Sequence, residues 1–227
     1  MTETRALTSW RIVQALGKQR YLCLSLLAFL FVLPLTAGDP GARLSTQLVL
    51  VFVFITGPLA VARTRATLWI TGGFAIVVFV MGIASVLGGG DGFLATSALV
   101  GVGFFAFLSW LVTRELLFDV SEVTAETLWA AVNVYVLIGL SFAFLYSVLA
   151  LSSPDAFVGK FMSEPLRDQL LGFVYFSFVT LTTLGYGDIT PNNTFVGTLT
   201  YLEALVGQLY VAIMIARLVG LYVSSHK

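Results

Sequence analysis

The sequence predicts an all-α integral membrane protein: six transmembrane helices, with a re-entrant half-helix and an irregular stretch between the fifth and the sixth. Three observations carry this. Of 227 residues, 58% are apolar and 11% are charged, too oily a balance for a soluble domain. Six apolar runs reach or approach the roughly 18 residues needed to cross a bilayer. A seventh run is only half as long and ends at "TLTTLGYGDITP", Thr180 to Pro191, where glycines, an acid and a proline interrupt the oil.

Each element follows from its local pattern. Ala6, Leu7, Trp10, Val13 and Leu16 recur at helical spacing, with Arg5, Arg11 and Lys18 elsewhere on the wheel, so residues 1–20 read as an amphipathic helix in the inner headgroup layer. Spans at Tyr21–Leu35, Leu44–Ala62, Thr67–Leu87 and Phe93–Thr113 are joined by "GDPGAR", "RTRA" and "GGGDG". Connections so short make residues 21–113 a four-helix bundle. The first run spans only with its flanking residues. It could alternatively be a signal-peptide core, but about 20 residues precede it, long for a charged n-region. Cys23, inside that run, is the single cysteine, which excludes an internal disulfide and reads as a lipid-facing thiol.

In residues 114–127, "RELLFDVSEVTAET", leucines and a phenylalanine alternate with acids at roughly helical intervals, which suits an interfacial linker helix. Residues 128–227 form the second unit: span five at Leu128–Leu151, a polar outer segment at Ser152–Arg167, the half-length run at Asp168–Thr182, and span six at Phe195–Val223. Asn133, in span five, reads as an interhelical contact.

The formal net charge is zero, so orientation rests on where the charges fall. With the N-terminus inside, nine Lys and Arg residues (Arg5, Arg11, Lys18, Arg20, Arg63, Arg65, Arg114, Arg217, Lys227) face the cytoplasm and three (Arg43, Lys160, Arg167) face out. That excess places both termini in the cytoplasm of a cell-membrane protein. Trp10, Trp69, Trp110 and Trp129 fall at the same inner interface, where amphipathic rings prefer to sit.

Irregular backbone at membrane depth persists only where protein surrounds it or where it lines a water- or ion-filled path. Gly185 and Gly187 alternate with Leu184 and Tyr186, and glycine accepts the positive-φ conformations that let successive carbonyls point one way. Such a row can replace the hydration shell of a monovalent cation.

The stretch Thr183-Leu184-Gly185-Tyr186-Gly187-Asp188 resembles the filter of the potassium channel family, usually written T-V-G-Y-G-D. It follows a half-membrane run, carries the threonine pair Thr182 and Thr183, and lies between two full spans, so the match is specific in context. The resemblance covers the last hundred or so residues, and the six-span count extends it to the whole chain. It implies potassium sites at the carbonyls of Thr183, Leu184, Gly185 and Tyr186 together with the Thr183 hydroxyl. Gly187 would complete the filter, Asp188 would cap its outer mouth and Thr182 would support it. One chain supplies one such loop and a closed ring needs four, so the resemblance implies a homotetramer.

The family pattern is not followed everywhere. Leu184 replaces the usual valine, which changes packing behind the filter. Tyr175 and Phe176 stand where many relatives carry a tryptophan pair, and Val179 where some carry a glutamate, which implies altered slow inactivation. Tyr175 can still offer a hydroxyl to Asp188. Gly207, nineteen residues past Asp188, matches the family's gating-hinge glycine, with helix packing as the equal alternative. Gln208, Val211 and Ile215 follow it at helical spacing and would face the cavity. Glu203 is the one acid well inside a span; it reads as filter support bonded to Ser177 or Thr180, with proton sensing as the second reading.

Span four carries no arginine, whereas a voltage sensor needs several, each charge moved being worth about 2.3 kcal/mol per 100 mV. Ten residues follow Arg217, too few for a cytoplasmic ligand-binding domain. The expected function is a potassium-selective channel that is not intrinsically voltage-sensing, with potassium ions and the lipid bilayer as partners and no cofactor. A weakly selective monovalent cation channel and a non-conducting membrane scaffold are the alternatives. An enzyme and a nucleic-acid partner are not expected: His226 is the single histidine and no acid or cysteine cluster accompanies it.

Overall fold

The computed structural model describes residues 19–35, 43–61, 64–86, 91–120, 122–159, 162 and 169–225. The amphipathic helix expected over residues 1–20 lies almost wholly outside them, as do Trp10, Arg63, Lys160, Arg167 and His226.

Among the described residues the chain forms seven helices and one pair of short strands: α1 Gln19–Leu35, α2 Arg43–Val61, α3 Arg65–Val86, α4 Asp91–Phe118, α5 Ala125–Ser152, β1 Phe157–Gly159, α6 Leu170–Leu181, β2 Ile189–Pro191 and α7 Thr194–Ser225. Three of them, over Gly92–Phe118, Ala125–Ser152 and Thr194–Ser224, are long and apolar enough to cross a membrane. The half-length run is the 12-residue α6. α7 has 32 residues and is about 48 Å long, well beyond the roughly 30 Å hydrocarbon layer.

Each helix of the first unit packs on the next, and α1 also reaches α5. The broadest interface joins α4 to α5. There the Phe105 ring meets Phe144 with centroids 5.2 Å apart, in a buried cluster that also holds Val112 and Leu116 of α4 and Val134, Leu137, Leu140 and Ala143 of α5. Gly101 makes the approach possible: a Cβ on it would sit 2.5 Å from the Phe144 ring. Because lipid tails are as apolar as leucine, close van der Waals packing of this kind, more than a hydrophobic driving force, holds helices together in a bilayer. Cys23 is buried, which corrects the expectation of a lipid-facing thiol: it sits beside Leu22 and Leu26 on the face that α1 turns to its neighbours. Trp69, Trp110 and Trp129 stay on the surface.

The separate linker helix expected over residues 114–127 does not form. α4 runs on through Phe118, and a short non-helical connection leads to α5. Burial of Leu116 extends α4, and Arg217 of α7 caps its end: Nε donates to the Leu116 carbonyl at 2.8 Å and Nη2 to the Val120 carbonyl at 3.3 Å. A cation placed on a helix's last carbonyls is favourable twice, as a donor and against the macrodipole. Thr124 then starts α5 with a capping box closed by Thr127.

A buried polar knot ties α1 to α5. Asn133 Nδ2 donates to the Gln19 carbonyl at 2.8 Å and to Gln19 Oε1 at 2.9 Å. Gln19 N–H donates to Glu126 Oε2 at 2.8 Å, and Gln19 Nε2 to the Ala60 carbonyl of α2 at 3.3 Å. Asn133 is thus the interhelical contact that was expected, although its buried Oδ1 has no partner among the described residues.

Candidate functional site

The site begins at the C-terminus of α6. Thr182 caps the helix, its hydroxyl donating to the Phe178 carbonyl at 2.6 Å. The chain then turns back on itself: Thr183 N–H donates to the Thr180 carbonyl at 2.8 Å, and the N–H groups of Leu184 and Gly185 both reach the Val179 carbonyl, at 2.9 and 3.3 Å. The amides at the start of the stretch are therefore spent on the helix end.

Backbone handedness decides what the carbonyls do. φ is positive at Thr183 (59°), Gly185 (58°) and Gly187 (76°), and negative at Leu184 and Tyr186 between them. In an ordinary strand carbonyls alternate sides, and reversing the sign of φ at every second residue brings them to one side. Among the described residues no donor takes up the carbonyls of Thr183 to Gly187. Thr183 is the only described residue other than glycine with positive φ; its β-branched side chain makes this a strained position, and such strain gathers at functional sites.

The outer end is held from two sides. Tyr175 donates its hydroxyl to Asp188 Oδ2 at 2.8 Å, and its ring stacks on Tyr186 with centroids 6.5 Å apart. β1 pairs antiparallel with β2, setting Gly159 opposite Ile189 and Phe157 opposite Pro191. Gly159, at φ 130°, lets the strands close; a Cβ there would overlap the Asp188 carbonyl. Asn192 extends the clasp, its N–H and side-chain amide donating to the carbonyls of Ala156 and Asp155. Beneath lies an aromatic cluster of Tyr146, Phe157, Phe173 and Phe176, with neighbouring ring centroids 5.1 to 5.6 Å apart.

α7 supplies the inner side. Gln208 Nε2 donates to Thr183 Oγ1 at 3.3 Å, and Val211 and Ile215 are exposed along the same helix. Gly207 packs directly on the end of α6: a Cβ would lie 2.3 Å from the Leu181 carbonyl. Glu203 is fully buried, with Ser177 at its Oε1 and Tyr146 at its Oε2; Thr180 is not among its partners. Tyr135 adds a hydroxyl to the Leu181 carbonyl at 3.2 Å.

Tyr175, Glu203, Gly207 and Gln208 thus lie against α6 or the stretch that follows it, whereas Val211 and Ile215 are placed only as exposed positions farther along α7. Thr182 to Gly187 are exposed as a continuous run, and the side chains of Leu184 and Tyr186 are 55% and 66% exposed. A single chain therefore gives this segment a back but no front. Sequence reasoning did not find the β1 and β2 clasp, Tyr135 or Tyr146. Tyr146 carries a signal in hindsight, because a phenol in the middle of an apolar span must find a partner, and Glu203 is the acid available.

A family model described as "Ion channel" matches residues 134–224, from α5 through the irregular stretch to α7. Two curated relatives, both named Protein LctB, from Bacillus caldotenax and Geobacillus stearothermophilus, are 32% identical over 101 and 106 residues. Each alignment takes in 43% of this chain and 74% of the relative. No solved structure matches the chain significantly. With α6 and the left-handed glycines inside the range of the family model, and 74% of each relative's length covered at 32% identity, the chain belongs to the ion channel family, of the potassium-channel type.

Proposed function

We propose that four copies of this chain enclose a potassium-selective pathway in the cell membrane, through which ions pass down their gradient without a chemical step. The observation that carries the reading is the run Thr182 to Gly187, irregular in backbone and exposed in a single chain although it follows an apolar half-helix. At membrane depth such backbone needs protein around it or an ion path before it, and a ring of four chains supplies both. Thr183, Leu184, Gly185 and Tyr186 offer carbonyls to the ions, Thr183 adds its hydroxyl, and Gln208, Val211 and Ile215 line the cavity. The C-terminal end of α6 turns its partial negative charge toward that cavity.

The front bundle completes a six-span subunit with both termini in the cytoplasm. α1, α2 and α3, at 17, 19 and 22 residues, are about 26, 28 and 33 Å long, close to the hydrocarbon thickness. With no arginine on the membrane part of α4, conduction depends little on voltage.

The full chain reconstituted in liposomes tests this: potassium flux blocked by barium, sodium excluded, and crosslinking that stops at four chains are the expected results. Equal passage of sodium and potassium would replace the reading with a weakly selective cation channel. No flux under any gradient would leave a scaffold. Tyr175→Phe, which deletes the hydrogen bond to Asp188 and keeps the ring, is expected to speed the decay of current during sustained opening. An unchanged decay would remove Tyr175 from the support of the filter.

A further inference from the structure

The hydrogens around Glu203 can be counted. Ser177 Oγ lies 2.5 Å from Glu203 Oε1 and 2.7 Å from the Gly139 carbonyl, and the Tyr146 hydroxyl lies 2.6 Å from Glu203 Oε2. A serine hydroxyl carries one hydrogen and a peptide carbonyl carries none. The contact between Ser177 and Gly139 therefore uses the serine's hydrogen, and the hydrogen between Ser177 and Glu203 has to come from Glu203.

An ionised Glu203 would leave Ser177 one hydrogen for two short contacts, so that its oxygen would face either Glu203 Oε1 or the Gly139 carbonyl, which already accepts an α5 amide, with no hydrogen between them. It would also keep a negative charge fully buried. The groups facing it are Tyr146 and, farther off, Tyr135 from α5, Ser177 from α6, and Thr200 one turn earlier on α7. Thr200 donates its hydrogen to the Val196 carbonyl at 2.9 Å and so brings none to the carboxylate. Among the described residues, no lysine or arginine reaches Glu203. With one proton on Oε1 every bond is made: Tyr146 donates to Oε2, Oε1 donates to Ser177, and Ser177 donates to Gly139. An unpaired buried charge is among the costliest groups to keep inside a membrane, and a satisfied neutral acid avoids it.

We propose that Glu203 is held as a neutral carboxylic acid, a hydrogen-bond relay that fastens α5, α6 and α7 to one another behind the irregular stretch. Ser177 lies two residues from Val179, whose carbonyl receives the Leu184 and Gly185 amides. The relay is thus one step removed from the carbonyl row, and Glu203 acts as a positioning residue. That role rests on the channel reading, whereas the protonation state does not.

Infrared spectroscopy of the full chain in lipid at neutral pH tests the protonation, since solvent-exposed carboxyls are ionised there. The carbonyl stretch of a protonated acid should be present, should vanish in Glu203→Gln, and should move to higher frequency in Ser177→Ala, which removes the acceptor and keeps the acid. Glu203→Gln can make the same bonds, an amide N–H to Ser177 and a carbonyl toward Tyr146, so its potassium flux should stay within about twofold of wild type. Glu203→Asp withdraws the carboxyl by one methylene and should lose about tenfold. A wild-type spectrum without the band, or a band that survives Glu203→Gln, overturns the neutral acid. Glu203→Gln conducting as poorly as Glu203→Asp overturns the relay. A protein that shows the band and passes no potassium overturns the channel reading and leaves the neutral acid standing.

Discussion

In the proposed channel, Gly185→Ala is expected to abolish potassium flux while leaving the helices and the proposed four-chain assembly in place. At φ 58° Gly185 occupies the left-handed region, and a Cβ added there meets nothing within 4 Å, so crowding within the chain is not the cause of the loss. The cause is conformational. A left-handed alanine costs about 1–2 kcal/mol, hence roughly 4–8 kcal/mol over four chains. The cheaper response is to rotate back to negative φ, which swings a carbonyl out of the row formed by Thr183, Leu184 and Tyr186. Liposome flux and size-exclusion chromatography of the purified variant separate the two effects. A variant that still conducts and still excludes sodium would mean that positive φ at Gly185 is not what aligns the carbonyls.

Gly207→Ala should have the second largest effect, and it chooses between two roles for that glycine. Its Cβ would lie 2.3 Å from the Leu181 carbonyl oxygen and 3.1 Å from the carbonyl carbon, so backbone must yield to backbone. Overpacking of this kind costs about 1–3 kcal/mol per chain. The same carbonyl accepts the Tyr135 hydroxyl, so shifting the end of α6 disturbs a second anchor as well. The expected result is a melting temperature lower by on the order of 5 °C, with flux reduced alongside it. Unchanged melting with altered single-channel opening would mark Gly207 as a hinge.

The parts of the site that were legible in the sequence are those in which the residue type itself performs the task. Gly185 and Gly187 announce their left-handed backbone, and Tyr175 and Asp188 are a donor and an acceptor whose meeting the sequence already suggested. Glu203 was conspicuous as an acid in oil, and one of its two expected partners, Ser177, is the one it has. The helices fell within a few residues of their apolar runs, apart from α4, whose last turn is set by Leu116 burial and the Arg217 cap.

Much of what stayed hidden uses backbone as the partner. Arg217 and Tyr135 bond to peptide carbonyls, which every residue possesses and no sequence advertises. The β1 and β2 clasp is three residues on each side, too short for alternation to show. Buried Cys23 was misassigned because from Leu22 to Leu35 α1 is apolar apart from Ser25, so composition does not say which face meets protein and which meets lipid.

The knot at Asn133 bears on modularity. The match to the ion channel family begins at residue 134, the very next position, yet the Asn133 side chain spends its amide on Gln19, more than a hundred residues earlier. The pore half is therefore not a cassette that can be cut out at the connection before α5. Excision would strand a buried amide in an apolar wall and leave the Gln19 end of the front bundle without Glu126 and Asn133. Any exchange of one front bundle for another, in the laboratory or in descent, has to bring a polar partner for position 133 or trade the asparagine for an apolar residue at the same time.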